Sequence, residues 1–381
     1  MANTLTGLIP DIYEALDVVS RELVGFIPAV RRDSGVERAA LNQTVVAHQS
    51  PASVAQDMTP GINPPDAGDQ TIGNVSLSIT KSRGVPVRWN GEEQLSLSRG
   101  PGYNAILVDQ FSQAFRTLTN EIEVDLAAAA KTTASRAYGT AATTPFDTAG
   151  NYEEASQVRN ILIDNGCPVS ELQMVLNTTA SAKLLGKQGG RGVNLEGNDS
   201  LLRQGVFQDI HGMAVRESVA AAIHTKGTGS GWLSNLIAGY AIGDTTIAAD
   251  TGSGTILAGD VVTFTGDSNK YVVTVALAGG SFSIGAPGLL AALANNIAIT
   301  VGNTYAHNAV FRRSSIVLAT RLRALPAEGD SAHDREVVID PVSGLAFEVA
   351  MYKQFGQVQY WVAVAWGTKG VKSEHNAILL G

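Results

Sequence analysis

The sequence predicts an α+β chain with a long helical spine and a small all-β module, on three observations. Between Ser34 and Gly100 runs a two-stranded arm that holds no hydrophobic core of its own. A strongly amphipathic helix follows it at once. From about Gly227 to about Asn303, short β-branched strands alternate with glycine and Gly-Asp turns.

Composition narrows the class. The 381 residues suffice for two or three folded units. Only 16% are charged, where about a quarter is usual, so much of the surface is expected to lie in contacts. With 35 acids against 27 bases the net charge is -8, which opposes general nucleic-acid binding through a long-range field. The single cysteine, Cys167, excludes an internal disulfide and a thiolate metal cage, and suits a reducing cytoplasm. The first residues, MANTLTGLIPDIYEALDVV, carry Asp11, Glu14 and Asp17 where an export signal would be apolar. No run reaches the length of a membrane span.

Taken in order, Ile9, Ile12, Leu16, Val19 and Leu23 have helical spacing over Leu8 to Val24, closed by Gly25 and Pro28. This amphipathic helix packs either on its own domain or on a neighbour. The arm comprises LNQTVVAHQ (Leu41 to Gln49) and NVSLSITKSRGVPVRW (Asn74 to Trp89), around a polar stretch whose Pro60, Pro64 and Pro65 forbid ladder and helix alike. Such an arm persists where neighbouring subunits cover it. After Gly100-Pro101-Gly102, the residues Leu107, Phe111, Phe115, Leu118, Ile122 and Leu126 line one helix face, with Asp109, Arg116, Asn120 and Glu123 facing away. This spine is expected to extend toward Ala137.

Asn151 to Gly166 reads as a helix ended by Asn-Gly, followed by a strand (Leu172 to Leu176) and a short helix (Thr178 to Leu185). GKQGGRGVNLEGND is a surface loop, since Gly186-Lys187 lacks the rest of a phosphate-binding motif. KGTGSG forms a flexible entry to the all-β module, for which a closed barrel over residues 227–303 solves the edge problem. Asn308 to Pro326 resumes the α/β material, and GLAFEVAMYKQFG and QVQYWVAVAWGTKGV form a hairpin turning near Gly356.

This order, with AGDVVTFTG (Ala258 to Gly266), NAVFRRSSIVLATR (Asn308 to Arg321) and a terminal strand ending in a polar tail, resembles tailed-bacteriophage major capsid proteins of the Hong Kong 97 fold. It is most similar to the branch of phage P-twenty-two, whose coat protein carries an inserted β-barrel. The resemblance implies an N-terminal arm (1–33), an extended E-loop (34–100) and a peripheral domain with the spine helix (101–150). It further implies an axial domain (151–226, returning over 304–326), the inserted barrel (227–303) and closing strands (327–381).

The same resemblance implies a non-enzymatic coat protein, assembled in a bacterial host cytoplasm into the virion shell around double-stranded DNA. The implied partners are further copies of itself in hexamers and pentamers, a scaffolding protein, a portal protein and a decoration protein. No cofactor, metal or membrane is implied. Some capsids of this fold join subunits covalently through lysine and asparagine, and Lys81 lies on the arm. One departure stands out: Trp232 to Thr246, where the relative carries a long charged bridging loop, is short and mostly apolar, with Asp244 its only charge.

Candidate inter-subunit charges are Arg83, Arg88, Glu92 and Glu93 near the arm's base, with Asp57, Asp66 and Asp69 in its polar tip. The six histidines show no ligand spacing and no neighbouring carboxylate motif. Arg31-Arg32 and Arg312-Arg313 are local basic pairs, each too small to hold DNA. The competing class is an exported adhesin or surface-layer subunit with a β module, which requires an export signal. A hydrolase with an unrecognised site is the third.

Overall fold

The computed structural model describes residues 25–49, 55, 60, 73–98, 103–147, 152–189, 209–339 and 344–381. The helix expected over Leu8 to Val24, the Gly100-Pro101-Gly102 break, the arm's polar tip and most of the glycine-rich loop lie outside these residues.

Apolar spacing of three and four makes Tyr103–Thr132 one helix of 30 residues, about 45 Å long at 1.5 Å per residue. All six predicted stripe residues are buried, none more than 3% exposed. The helix stops at Thr132, short of Ala137, because Arg136–Tyr138 is drawn into a sheet. Asp109, Arg116 and Asn120 face outward, but Glu123 is only 1% exposed and points into the core.

Along the chain the strands are β1 (Arg31–Ala39), β2 (Thr44–Gln49), β3 (Gly73–Ser78), β4 (Lys81–Asn90), β5 (Arg136–Tyr138), β6 (Leu172–Leu176), β7 (Met213–Glu217) and β8 (Ile223–His224). The glycine-punctuated region supplies β9 (Trp232–Ser234), β10 (Thr246–Asp250), β11 (Val261–Phe264), β12 (Lys270–Ala278), β13 (Ser281–Ile284) and β14 (Ala298–Val301). After it come β15 (Tyr305–Arg312), β16 (Ile316–Arg323), β17 (Asp334–Ile339), β18 (Ala346–Gln354), β19 (Gln357–Gly370) and β20 (Asn376–Leu380).

The spine helix lies against a six-stranded sheet ordered β1-β16-β19-β18-β17, with β4 also paired to β19. Phe115 meets Phe347 edge-on at 5.2 Å between ring centres, and Phe111 meets Tyr360 at 5.5 Å, the geometry favoured by aromatic quadrupoles. The hairpin β18–β19 turns at Gly356, whose φ of 66° suits glycine. β1 joins β16 in parallel, a pairing between residues nearly 290 positions apart that RRDSGVERA, with few β-formers, does not announce. The expected second arm strand is therefore divided: β3 pairs with β2, whereas β4 is held in the body by ten registered residues of β19.

A second sheet runs β5-β20-β15-β6-β7 and continues through the β12–β5 pairing into the strands of the glycine-punctuated region, with helices Glu153–Asp164 and Thr178–Gly189 sharing its core through Val158, Leu162, Leu184, Met174, Val310 and Leu379. The second helix reaches Gly189, so Gly186 and Lys187 are helical rather than part of the predicted loop. Two further expectations need correction. Asn308 to Pro326 is split between the sheets, β15 entering one and β16 the other across a short 3₁₀ turn at Arg313–Ser315. The expected polar tail contains β20, NAILL, all five residues buried between β5 and β15 because its apolar run satisfies both neighbouring edges.

Pairings β11–β14, β14–β9, β9–β10, β10–β13, β13–β12 and β12–β11 close on themselves into a barrel-like sheet. Its interior holds Phe264, Tyr271, Phe282, Ile247 and Ile299. The entry KGTGSG is tied down rather than loose: Ser230 and Ser253 exchange two backbone hydrogen bonds of 3.0 Å. A Cβ on Gly227 would fall 2.2 Å from the Thr255 carbonyl oxygen, so close approach selects this glycine.

Candidate assembly interface

Strands β2 and β3 pair only with one another among the described residues, forming a two-stranded ribbon apart from both larger sheets. Its root is fixed. Ala39, Leu77, Ile79, Ala319 and Ala365 form a small apolar cluster there, and Lys369 Nζ donates to the Ser76 carbonyl at 2.7 Å. A Cβ on Gly367 would lie 2.0 Å from the Ser78 carbonyl oxygen, so β19 comes that near only as glycine. On β2 beyond the root, Val46 is 52% exposed.

Beside this root, Arg83 pairs with Glu121 of the spine helix at 2.9 Å, within its own chain. Lys81 pairs with Asp125 at 2.7 Å, and Trp366 Nε1 donates to the other oxygen of that carboxylate at 2.8 Å. The Lys81 ammonium also lies 5.8 Å from the centre of the Trp366 ring. Glu93 makes a reciprocal cap with Asn90, accepting its N–H at 3.0 Å while donating its own to the Asn90 side chain at 2.7 Å. Arg88 and Glu92 remain exposed. Asp57, Asp66 and Asp69 lie outside the described residues. At the far end of β4 from the ribbon, where Asn90 pairs with Gln357, Phe355 at the β18–β19 turn is fully exposed, and Leu95 on the helix Gly91–Ser98 is 61% exposed. The Gly91 N–H donates to Gly356, which joins that helix to the hairpin turn.

Three polar clusters carried no local sequence signal. Glu123 accepts hydrogen bonds from the backbone of Gly25 (2.7 Å), Phe26 (2.6 Å) and Ile27 (3.0 Å) and from the Ser218 hydroxyl (2.8 Å). Burial pushes its pKa up, and these donors oppose the shift. Arg335 holds Asp330 at 2.7 Å and Glu348 at 3.2 Å, while Arg38 reaches Glu348 at 2.5 Å, linking β1, β17 and β18. The two basic pairs also converge, since Arg31, Arg32 and Arg313 line one groove with Glu171.

At the barrel's base, Asp260 accepts from His224 Nε2 at 2.8 Å and from the amides of Gly227 (3.1 Å) and Leu257 (2.7 Å). Tyr305 donates to the Gly259 carbonyl at 2.6 Å. A carboxylate does stand beside a histidine, contrary to the sequence reading, because β8 and the turn before β11 meet only in the fold. His307 is buried nearby. Desolvation first, then Lys131 and His224, lower its pKa to about 3.

Among the described residues no group of three or more His, Cys, Asp or Glu side chains could hold a metal, and no helix is long and apolar enough to cross a membrane. Cys167 is buried, and burial raises its thiol pKa, the opposite of an activated nucleophile. What the geometry offers is a ribbon anchored at one end of β4 and exposed apolar and charged groups at the other.

No family model and no curated protein matches the chain. Solved structures do. The chain is similar to one from Mycobacterium phage Che8, with a TM-score of 0.50, 11% identity and coverage of 94% of this chain and 91% of that one. It is also similar to the capsid of cyanophage P-SCSP1u, with a TM-score of 0.48, 10% identity and coverage of 94% and 88%. The mature capsid of bacteriophage PhiM1 follows at 0.47, 10% identity and coverage of 94% and 87%. At these identities the likeness is one of fold.

Proposed function

We propose that this chain is a structural subunit that builds a closed protein shell from many copies. More particularly, it is the major capsid protein of a tailed bacteriophage of the Hong Kong 97 fold, enclosing double-stranded DNA. The observation that carries the reading is the ribbon β2–β3, rooted in the body yet paired with no third strand among the described residues. A lone hairpin is marginal in water, so its cover comes from sister copies. The fold shared with a phage structure across nearly its whole length supports the same reading.

In this assignment the spine helix and six-stranded sheet belong to the peripheral domain, and the sheet around β15 and β20 to the axial domain. The barrel is an insert, as in the branch of phage P-twenty-two. Copies form hexamers and pentamers with the help of a scaffolding protein and a portal, and a compact precursor matures as DNA enters. Arg88, Glu92, Phe355 and the acidic tip with Asp57, Asp66 and Asp69 make contacts between copies, while Arg83 and Glu93 also serve their own chain.

Expression followed by light scattering and electron microscopy tests this directly. Shells, sheets or capsomers are expected. A monodisperse monomer under every assembly condition, including co-expression with an adjacent scaffold gene, rejects the proposal.

A further inference from the structure

We propose that the exposed apolar turn after β7 is the docking site for this chain's own amphipathic segment, Leu8 to Val24. The chain enters the described body at Gly25, and its position there is tightly fixed. The Gly25 N–H and the Ser218 hydroxyl bond to the same oxygen of Glu123, at 2.7 and 2.8 Å. A Cβ on Gly25 would fall 2.4 Å from the Glu217 carbonyl oxygen and 2.6 Å from Ser218 Cβ. Gly25 is therefore packed against the Glu217–Ser218 backbone that leads into Val219.

That turn is unusual for a surface. Val219 is 69% exposed and Ile223 70%, and together with Ala222, Thr304 and Ala306 they line a groove of about 480 Å³. Covering two neighbouring branched apolar side chains removes apolar surface from water, which favours an apolar occupant here. The adjoining sequence supplies matching cover: Ile9, Ile12, Leu16, Val19 and Leu23 make one stripe, and Asp11, Glu14, Asp17 and Glu22 occupy the other positions. Two residues of extended chain span about 7 Å, which brings Leu23 to Val219 within one copy. A helix over these 17 residues reaches about 26 Å, enough to carry the stripe along the groove. Occupancy from the same chain follows from this attachment, and the inference stands or falls independently of shell formation.

The test is disulfide trapping in the full chain, with the pairs Leu23→Cys with Val219→Cys, and Val19→Cys with Ile223→Cys. On mild oxidation we expect an intrachain cross-link, identified by peptide mass, with a yield unchanged by tenfold dilution. No cross-link in either pair overturns the proposal. So does a linked dimer whose yield falls on dilution, which would assign the groove to a second copy's segment. Should the cysteine variants not fold, hydrogen exchange on the unsubstituted chain decides. Removal of residues 1–20 should speed exchange across residues 219–223 by about tenfold, as expected when a docked segment no longer restrains local opening. Unchanged exchange there rejects the site.

Discussion

The ribbon β2–β3 and the barrel β9–β14 are built from similar material, short strands rich in valine, isoleucine and threonine with polar neighbours. They reach opposite outcomes. The barrel's six strands pair in a ring, so each strand finds a partner on both sides and the inner faces of Ile247, Phe264, Tyr271 and Phe282 pack together. Among the described residues the ribbon has two strands and no third strand pairs with either edge. Closure, more than β-propensity, decides whether a β element can stand alone. The barrel closes on itself; the ribbon does not.

That contrast can be broken most forcefully in the barrel. Phe282→Ala should cost about 3 to 5 kcal/mol of subunit stability in urea unfolding, since the ring is 1% exposed and leaves a cavity. A loss below about 1 kcal/mol would show that the barrel core is loosely packed. Asp260→Ala should cost about 3 kcal/mol by the same measurement, because it strands His224 and two amides at the barrel's base. Asp260→Asn, which keeps an acceptor, should cost less than the alanine change.

The next effect is one of pH. His307 stays neutral in the fold down to about pH 3, whereas the unfolded chain takes up its proton near pH 6.5, so the unfolded state binds more protons between those values. Stability contributed by this histidine is complete above about pH 6.5 and declines as pH falls toward 3. Between pH 6.5 and 4.5 the decline should amount to about 2 to 3 kcal/mol in urea midpoints converted to free energy. In His307→Phe that slope should flatten; an unaltered slope places the acid sensitivity elsewhere, for instance at His375, whose pKa burial also lowers.

The smallest change in subunit stability should come from the uncovered groups. Val46→Ser, Phe355→Ser and Arg88→Glu should each shift unfolding by less than about 0.5 kcal/mol, as expected for exposed positions away from packing. Yet they should reduce shell yield in sedimentation assays. Normal yield in all three would remove the ribbon and the far end of β4 from the assembly contacts.

How much of this could be seen in the sequence follows from the distance over which each element finds its partner. The spine stripe, the hairpin at Gly356, β6 and the barrel's strands were legible because periodicity and turn residues are local signals. Glu123 was assigned to the outer face because its spacing is that of a solvent-facing position. Nothing nearby in sequence reveals that the amides of Gly25 to Ile27, almost a hundred residues earlier, need an acceptor there. For the same reason the sequence did not place β1 beside β16, Asp260 beside His224, or Arg38 beside Glu348. Of the candidate contact residues, Arg83 and Arg88 were legible as part of a strand, but the partnership of Arg83 with Glu121 depended on how β4 lies over the spine helix.

The placement of β20 has a consequence for synthesis. It lies between β5, some 240 residues earlier, and β15, some 70 earlier, and bonds to both. While the ribosome is still translating what precedes Asn376, those two edges stand apart, and the sheet they share is unfinished. The sheet through β5, β20 and β15 is thereby completed only after nearly all of the described chain has emerged, so its last strand is added late in synthesis.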